Sequence, residues 1–113
     1  MSDEVFLYLT TTGRRTALPR TIEIWFVEEA GGFYLVSERR ERARWVMNLR
    51  ANPQVELSLG TGSARESVRE RTAARARVVE AAAEPELAAR VRALMDEKYG
   101  WSDGLIVELE RTR

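Results

Sequence analysis

The connection between the first two predicted strands has the sequence LTTTGRRTALPR, residues 9–20. It places Arg14, Arg15 and Arg20 within seven residues and contains no acidic residue. Threonine hydroxyls lie beside these arginines, and Gly13 can expose backbone N–H groups. Guanidinium forks together with hydroxyl and amide donors suit a phosphate or a polyanionic tail. The alternative interpretation is a charged hairpin that is simply solvated by water.

Strands flank this turn on both sides. Residues 5–12 are β-branched and aromatic, which predicts a first strand. Residues 20–28 alternate an apolar row with a second row, which predicts a second strand. The apolar row comprises Ile22, Ile24 and Phe26, and the second row comprises Thr21, Glu23 and Trp25.

The rest of the chain alternates further strands with two helices. The patterns predict strands over 33–37, 55–59, 72–81 and 105–110, and helices over 40–51 and from Glu84-Pro85 to Gly100. A polar loop is predicted over 60–69. The order β-β-β-α-β-β-α-β favours a mostly β fold, a small closed or split β-barrel of about six antiparallel strands with two helices. The length of 113 residues suits a single domain spanning residues 1–113.

The composition excludes several classes of function. There is no Cys and no His, so the usual zinc sites, thiol nucleophiles and histidine-based catalysis are not available, and we predict no metal site and no catalytic side chain. Basic and acidic residues balance at 18 each, which argues against nucleic acid as a partner. Any catalysis must therefore come from a cofactor that the protein positions.

No run approaches the roughly 18 apolar residues that cross a bilayer. The N-terminus is acidic, whereas a secretory signal begins with basic residues. We therefore expect a cytoplasmic protein without an integral membrane segment.

Two further clusters are candidate ligand contacts. Residues 37–45 run from Ser37 to Trp45 and carry four arginines at the start of a predicted helix, where anions are attracted; the alternative is a surface helix with Glu–Arg pairs. In the second strand, Glu23 and Trp25 share a face that could line a flat ligand. The alternative there is that Trp25 packs under the C-terminal helix while Glu23 is solvated.

Several of these residues resemble the deazaflavin-dependent nitroreductase family, which belongs to the flavin- and deazaflavin-binding split β-barrel oxidoreductases. The resemblance rests on LTTTGRRT at residues 9–16, Pro19-Arg20, Trp45, and NLRANPQV at residues 48–55. It covers residues 7–60 well and the remainder only by the order of strands and helices. The two motifs are specific in combination, whereas either alone is weak.

The resemblance implies a homodimer of split barrels with the cofactor in a groove at the subunit interface. It implies that reduced coenzyme F420, a deazaflavin, gives a hydride to a quinone, a nitro compound or a similar electron-poor acceptor, with FMN as the alternative cofactor. The residues it implies as cofactor contacts are Thr11, Thr12 and Gly13 as turn donors, Arg14, Arg15 and Arg20 for the phosphate and acidic tail, and Glu23, Trp25, Ser37 and Trp45 around the ring system.

The chain also departs from the family pattern. Ala17 replaces the usual glycine after the R-x-T motif, which bears on the shape of the turn. Glu23 places a carboxylate beside the ring, where we expect it to restrict the substrate. Two other classes of function stay open at this stage: a carrier or sensor that binds the cofactor without turnover, and a barrel that binds single-stranded nucleic acid through its aromatic residues, which the balanced charge disfavours.

Overall fold

The computed structural model describes residues 6–60 and 71–112, and seven strands in these ranges form one antiparallel sheet. The strands are β1 Phe6–Thr12, β2 Pro19–Trp25, β3 Val27–Glu29, β4 Gly32–Ser37, β5 Gln54–Gly60, β6 Thr72–Val79 and β7 Leu105–Arg111. Two helices, α1 Arg44–Ala51 and α2 Pro85–Tyr99, accompany them. The order across the sheet is β2-β1-β5-β6-β7-β4-β3. Apart from Gly60, the last residue of β5, the predicted loop over 60–69 lies outside the described residues.

The predicted second strand over 20–28 is in fact two strands, which is why the count is seven and not six. β2 pairs with β1, and β3 pairs with β4. The break falls at Phe26, whose backbone is held by side chains of α2. The Phe26 N–H donates to the Tyr99 hydroxyl at 3.1 Å, and the Lys98 ammonium donates to the Phe26 carbonyl at 3.0 Å.

This break closes the barrel. β2 and β3 lie at opposite edges of the sheet, yet only Phe26 separates them in the chain. The sheet must therefore curl until its two edges approach each other, although among the described strands β2 pairs with β1 alone and its other edge stays unpaired. Continuing the β3–β4 register would pair Trp25 with Val36, but Trp25 instead pairs with Phe6 of β1. A wedge opens between β2 and β4 at this point.

The first helix begins later than the predicted range of 40–51. Residues Arg40–Arg42 form a 3-10 turn, and Ala43 is extended with φ −63° and ψ 136°. Arg40 itself has a positive φ of 53°, so the backbone cannot run as one helix through this segment. The second helix ends as predicted, with Gly100 in the left-handed conformation at φ 76°.

Two apolar clusters hold the fold. One fills the barrel interior between alternate strand residues and α1, with Leu7, Leu35 and Val46 fully buried. The other lies on the outer face of the sheet, where α2 packs through Val91 and Met95. Neither helix of the described residues is long and apolar enough to cross a membrane.

Candidate functional site

The turn between β1 and β2 is closed by its own backbone. The Gly13 N–H donates to the Leu18 carbonyl at 2.8 Å, and the Ala17 N–H donates to the Gly13 carbonyl at 2.8 Å. A Cβ on Gly13 would lie only 2.7 Å from the Thr16 hydroxyl oxygen and 3.2 Å from the Leu18 carbonyl oxygen. Gly13 thus shapes the turn, and its N–H is not the free donor that the sequence analysis expected.

Ala17 takes the left-handed conformation that glycine would take there, with φ 60°. An L-residue in this region is strained because its Cβ approaches the following carbonyl oxygen. Because alanine stands where the family has glycine, the turn contains an L-residue in the left-handed conformation.

Asn48 ties this turn to α1. Its side-chain oxygen accepts from the Arg14 N–H at 3.2 Å, and its amide nitrogen donates to the Thr11 hydroxyl at 3.3 Å. Asn48 is only 6% exposed; its contact with Thr11 is buried, whereas its contact with the exposed Arg14 is partly buried. Sequence reasoning did not select Asn48 as a site residue. The available signal was a polar residue in the buried stripe of α1, beside Val46 and Leu49.

A cavity of about 660 Å³ lies against the turn, and we call it the basic pocket. Its walls are Thr11, Gly13, Arg14, Arg15, Thr16, Pro19, Arg20, Thr21, Ile22, Arg44, Trp45 and Asn48. Within residues 6–60 and 71–112, no carboxylate pairs with any of the four arginines in these walls. By contrast, Arg77 and Arg90, which lie away from this pocket, do form ion pairs. The basic pocket therefore concentrates positive charge that no described side chain neutralises.

A second cavity of about 720 Å³ occupies the wedge between β2 and β4, and we call it the ring pocket. Its walls are Phe6, Glu23, Ile24, Trp25, Val36, Ser37, Glu38, Arg39, Ala43, Arg44, Trp45 and Trp101. The size falls within the range of small-molecule sites. Aromatic rings dominate the apolar part of this lining, which suits a flat ligand.

Three residues of the ring pocket are held firmly. The Trp25 ring stacks on Tyr99 of α2, with centroids 4.4 Å apart and planes at 6°. The Ser37 hydroxyl donates to the Arg40 carbonyl at 3.0 Å and is almost fully buried. Glu23 accepts a hydrogen bond from the Tyr8 hydroxyl at 2.8 Å. Trp25 thus packs against the C-terminal helix, as the alternative interpretation had it, while Glu23 is tethered as well as exposed.

The two pockets are neighbours because Arg44 and Trp45 line both. Together we call the two neighbouring pockets the groove, which is cationic at the turn and aromatic at the wedge. Nine of the ten predicted cofactor contacts line it, and Thr12 does not. Arg44, one of the four arginines of the 37–45 cluster, also lines the groove, as does Asn48, which sequence reasoning did not select.

The chain is similar in sequence to known proteins. A family model described as "F420H(2)-dependent quinone reductase" matches residues 1–101. An F420H(2)-dependent quinone reductase of Mycobacterium tuberculosis (strain ATCC 25618 / H37Rv) is 35% identical over 57 residues, which are 48% of this chain and 38% of that protein. The chain thus spans about two fifths of the length of the curated relatives it matches.

Solved structures establish the fold. HutZ, a heme storage protein from Vibrio cholerae, superposes with a TM-score of 0.75 at 22% identity, covering 97% of this chain and 83% of that one. An F420-H2 dependent reductase, FDR-A, superposes with a TM-score of 0.61 at 22% identity, covering 93% of each chain. A FAD-binding protein from Mesorhizobium loti gives 0.72 at 10% identity, covering 96% and 82%. These likenesses confirm the predicted split β-barrel fold.

Proposed function

The chain belongs to the F420H(2)-dependent quinone reductase family, and from this premise we propose that it transfers a hydride from reduced F420 to a quinone, a nitro compound or a similar electron-poor acceptor. The observation that carries the proposal is the groove with its two unlike ends. The coenzyme has the same division, since a flat tricyclic ring is joined to an anionic tail of phosphate and carboxylates. The name of the Mycobacterium tuberculosis relative gives the same cofactor and acceptor class.

The anionic tail belongs in the basic pocket. Arg14, Arg15 and Arg20 supply guanidinium groups that no described carboxylate neutralises. The backbone N–H groups of Arg15 and Thr16 make no hydrogen bond within the described ranges, so they add two donors at the tip of the turn. Charge-assisted hydrogen bonds of this kind are stronger than those between neutral groups.

The tricyclic ring belongs in the ring pocket. Reduced F420 supplies the hydride when bound, so no side chain of this protein has to act as a nucleophile or a general base. Trp25 and Trp45 offer ring faces that orient the flat ligand, and the buried Ser37 fixes the loop that follows β4. The chain's contribution is position and exclusion of water, which agrees with a sequence that lacks His and Cys.

FMN is the alternative cofactor, because FAD- and F420-binding proteins share this fold. The number of unpaired arginines favours F420. FMN carries one phosphate, whereas the tail of F420 adds carboxylates that can occupy the remaining guanidinium groups of the basic pocket. A carrier or sensor without turnover would use the same contacts, and only a rate measurement separates it from a reductase.

We also propose that the protein is a homodimer and cytoplasmic. The large hydrophobic residues left exposed in the described ranges are Leu18, 57% exposed, and Trp25, 38% exposed. Both lie on or beside β2, the edge strand that borders the groove. A second copy packed against this edge would cover them and close the open side of the groove.

Titration of the protein's intrinsic fluorescence with F420 and FMN, side by side, tests the cofactor. The double variant Arg15→Glu and Arg20→Glu should weaken F420 binding strongly, because each charge-assisted contact is worth about 1.5–3 kcal/mol, roughly ten- to a hundred-fold in Kd. Arg50→Glu is the matched control, since Arg50 is an exposed arginine of α1 outside both pockets.

Turnover is followed as reoxidation of reduced F420 with menadione or a nitroaromatic compound. The proposal predicts a rate above the uncatalysed background with at least one such acceptor. An unchanged Kd in the double variant would reduce the basic turn to a solvated hairpin. Binding with no turnover on any acceptor would leave only a carrier or sensor.

A further inference from the structure

The ring pocket carries an unequal distribution of charge. On the β2 wall the charged residue is Glu23, and no basic side chain of the described ranges pairs with it. The opposite wall carries both signs, because Glu38, Arg39 and Arg44 all line it. Arg44 also lines the basic pocket, where the anionic tail of a bound cofactor would give it a partner. One face of the pocket therefore presents an uncompensated carboxylate to whatever lies in the wedge.

The position of this carboxylate is fixed. β2 is paired along its length with β1, which places Glu23 directly opposite Tyr8. The Tyr8 hydroxyl donates to one carboxylate oxygen of Glu23 at 2.8 Å. Tyr8 is itself packed tightly, since a Cβ on Gly60 would lie 2.7 Å from its ring. Glu23 is exposed to solvent, but the strand and this hydrogen bond restrict its charge more than that of an untethered surface side chain.

We propose that Glu23 is a specificity-determining residue that selects the electron acceptor by charge, admitting neutral and cationic acceptors and rejecting anionic ones. This inference rests on the proposed function and names the substrate class of the same site. A carboxylate within the wall raises the energy of an anion near it through like-charge repulsion, which is stronger in a pocket than in open water. The neighbouring Trp25 and Trp101 rings add faces that attract cations.

The test compares one neutral and one anionic acceptor, menadione and 1,4-naphthoquinone-2-sulfonate, on the wild type and on Glu23→Gln. Each acceptor is compared with itself, so differences in reduction potential cancel. We expect the ratio of kcat/KM for the sulfonate to kcat/KM for menadione to rise about tenfold in Glu23→Gln, mainly through a lower KM for the sulfonate.

Two control variants separate charge from structure. Glu28→Gln removes an equal charge from β3, outside both pockets, and should leave the ratio of the two acceptors unchanged. Tyr8→Phe removes the hydrogen bond but keeps the carboxylate, so it should still disfavour the sulfonate. An unchanged ratio in Glu23→Gln, or an equal shift in Glu28→Gln, would overturn the inference.

A binding measurement keeps this test apart from the proposed function. Both quinones quench tryptophan fluorescence, and Trp25, Trp45 and Trp101 line the ring pocket. Wild-type protein should bind menadione more tightly than the sulfonate, and the ratio of the two Kd values should be smaller in Glu23→Gln. If reduced F420 gives no turnover at all, the proposed function fails, while the quenching result still decides the role of Glu23. Equal affinities for both quinones in the wild type would refute that role.

Discussion

Single residues set the shape of the cationic end of the groove. Gly13 is needed because a side chain would collide with Thr16 and the Leu18 carbonyl. Ala17 completes the same turn in a left-handed conformation, which an L-residue adopts at a cost. Asn48 then anchors the turn through Arg14 and Thr11. The arginines are thus displayed from a rigid backbone, which lowers the entropy lost when they bind an anion.

The strain at Ala17 predicts that Ala17→Gly stabilises the protein. The substitution relieves a left-handed conformation worth about 1–2 kcal/mol but gives the unfolded chain more freedom, so we expect a net gain of about 0.5–1 kcal/mol. The free energy of unfolding from urea denaturation measures it. Ala89→Gly, at an exposed position inside α2, is the control and should lose about 1 kcal/mol. A loss of stability in Ala17→Gly would show that the turn is not strained there.

At the scale of elements, side chains fasten α2 to the sheet at both of its ends. At its C-terminal end, Tyr99 stacks on Trp25 and bonds the backbone of Phe26. Before its first turn, Glu84 pairs with Arg77 of β6 at 2.7 Å, and Arg77 also pairs with Glu108 of β7 at 2.7 Å. The Arg77 guanidinium group thus links β6, β7 and the start of α2.

This charged cluster predicts a loss of stability in acid. Burial raises the pKa of Glu108, but hydrogen bonds from Arg77 and Tyr34 outweigh it and hold that pKa below its usual range. The hydrogen bond from Arg77 likewise lowers the pKa of Glu84. A carboxyl whose folded pKa is lowered stabilises the protein above its unfolded pKa, about 4.3 for Glu, and this contribution is lost as the pH falls through the folded pKa.

The measurement is urea unfolding between pH 7 and pH 3 for the wild type and for Arg77→Met. The variant should be less stable by about 1 kcal/mol at pH 7, and its stability should fall less steeply below pH 5. Arg71→Met is the comparison, because it breaks one exposed pair with Glu56 at 3.4 Å and should change little. If the free energy of unfolding falls equally steeply below pH 5 in the wild type and in Arg77→Met, the charged cluster is not the cause of the acid sensitivity.

Elements were predictable from the sequence to the extent that local patterns control them. Alternating residues gave the strands, and Glu84-Pro85 with Gly100 marked the ends of α2. The alternation of Ile22, Ile24 and Phe26 continues without interruption, so it predicted one strand where there are two. The break depends on Tyr99, which is 73 residues away in the chain. No local pattern carries such a contact. The inclusion of Asn48 in the groove has the same origin, since it depends on how α1 packs against the turn.

At the scale of the whole molecule, the groove follows from the way the barrel closes. Because β2 leaves β4 after Phe26, the wedge forms between them, and the turn at the other end of β2 supplies the arginines. One strand thus borders both pockets. Its free edge and the exposed Leu18 and Trp25 lie beside the groove, which is the basis for the proposed homodimer.

The homodimer predicts a molar mass in solution of twice the chain mass of 12.9 kDa. Light scattering coupled to size-exclusion chromatography measures it. Leu18→Glu should shift the protein towards the monomer and weaken cofactor binding, because it places a charge where the second copy is expected. Ala81→Glu, an exposed position remote from β2, should do neither. A wild-type protein of 12.9 kDa that still binds the cofactor would rule out a shared groove.

The single residue between β2 and β3 also has a consequence for biosynthesis. Both backbone groups of Phe26 are bonded by Lys98 and Tyr99, which lie 72 and 73 residues further along the chain. During translation, the first four strands emerge from the ribosome long before these partners exist. The arrangement that brings the β2 and β3 edges of the sheet together can therefore form only after α2 has been made. A nascent or truncated chain that ends before α2 exposes unpaired strand edges to other chains.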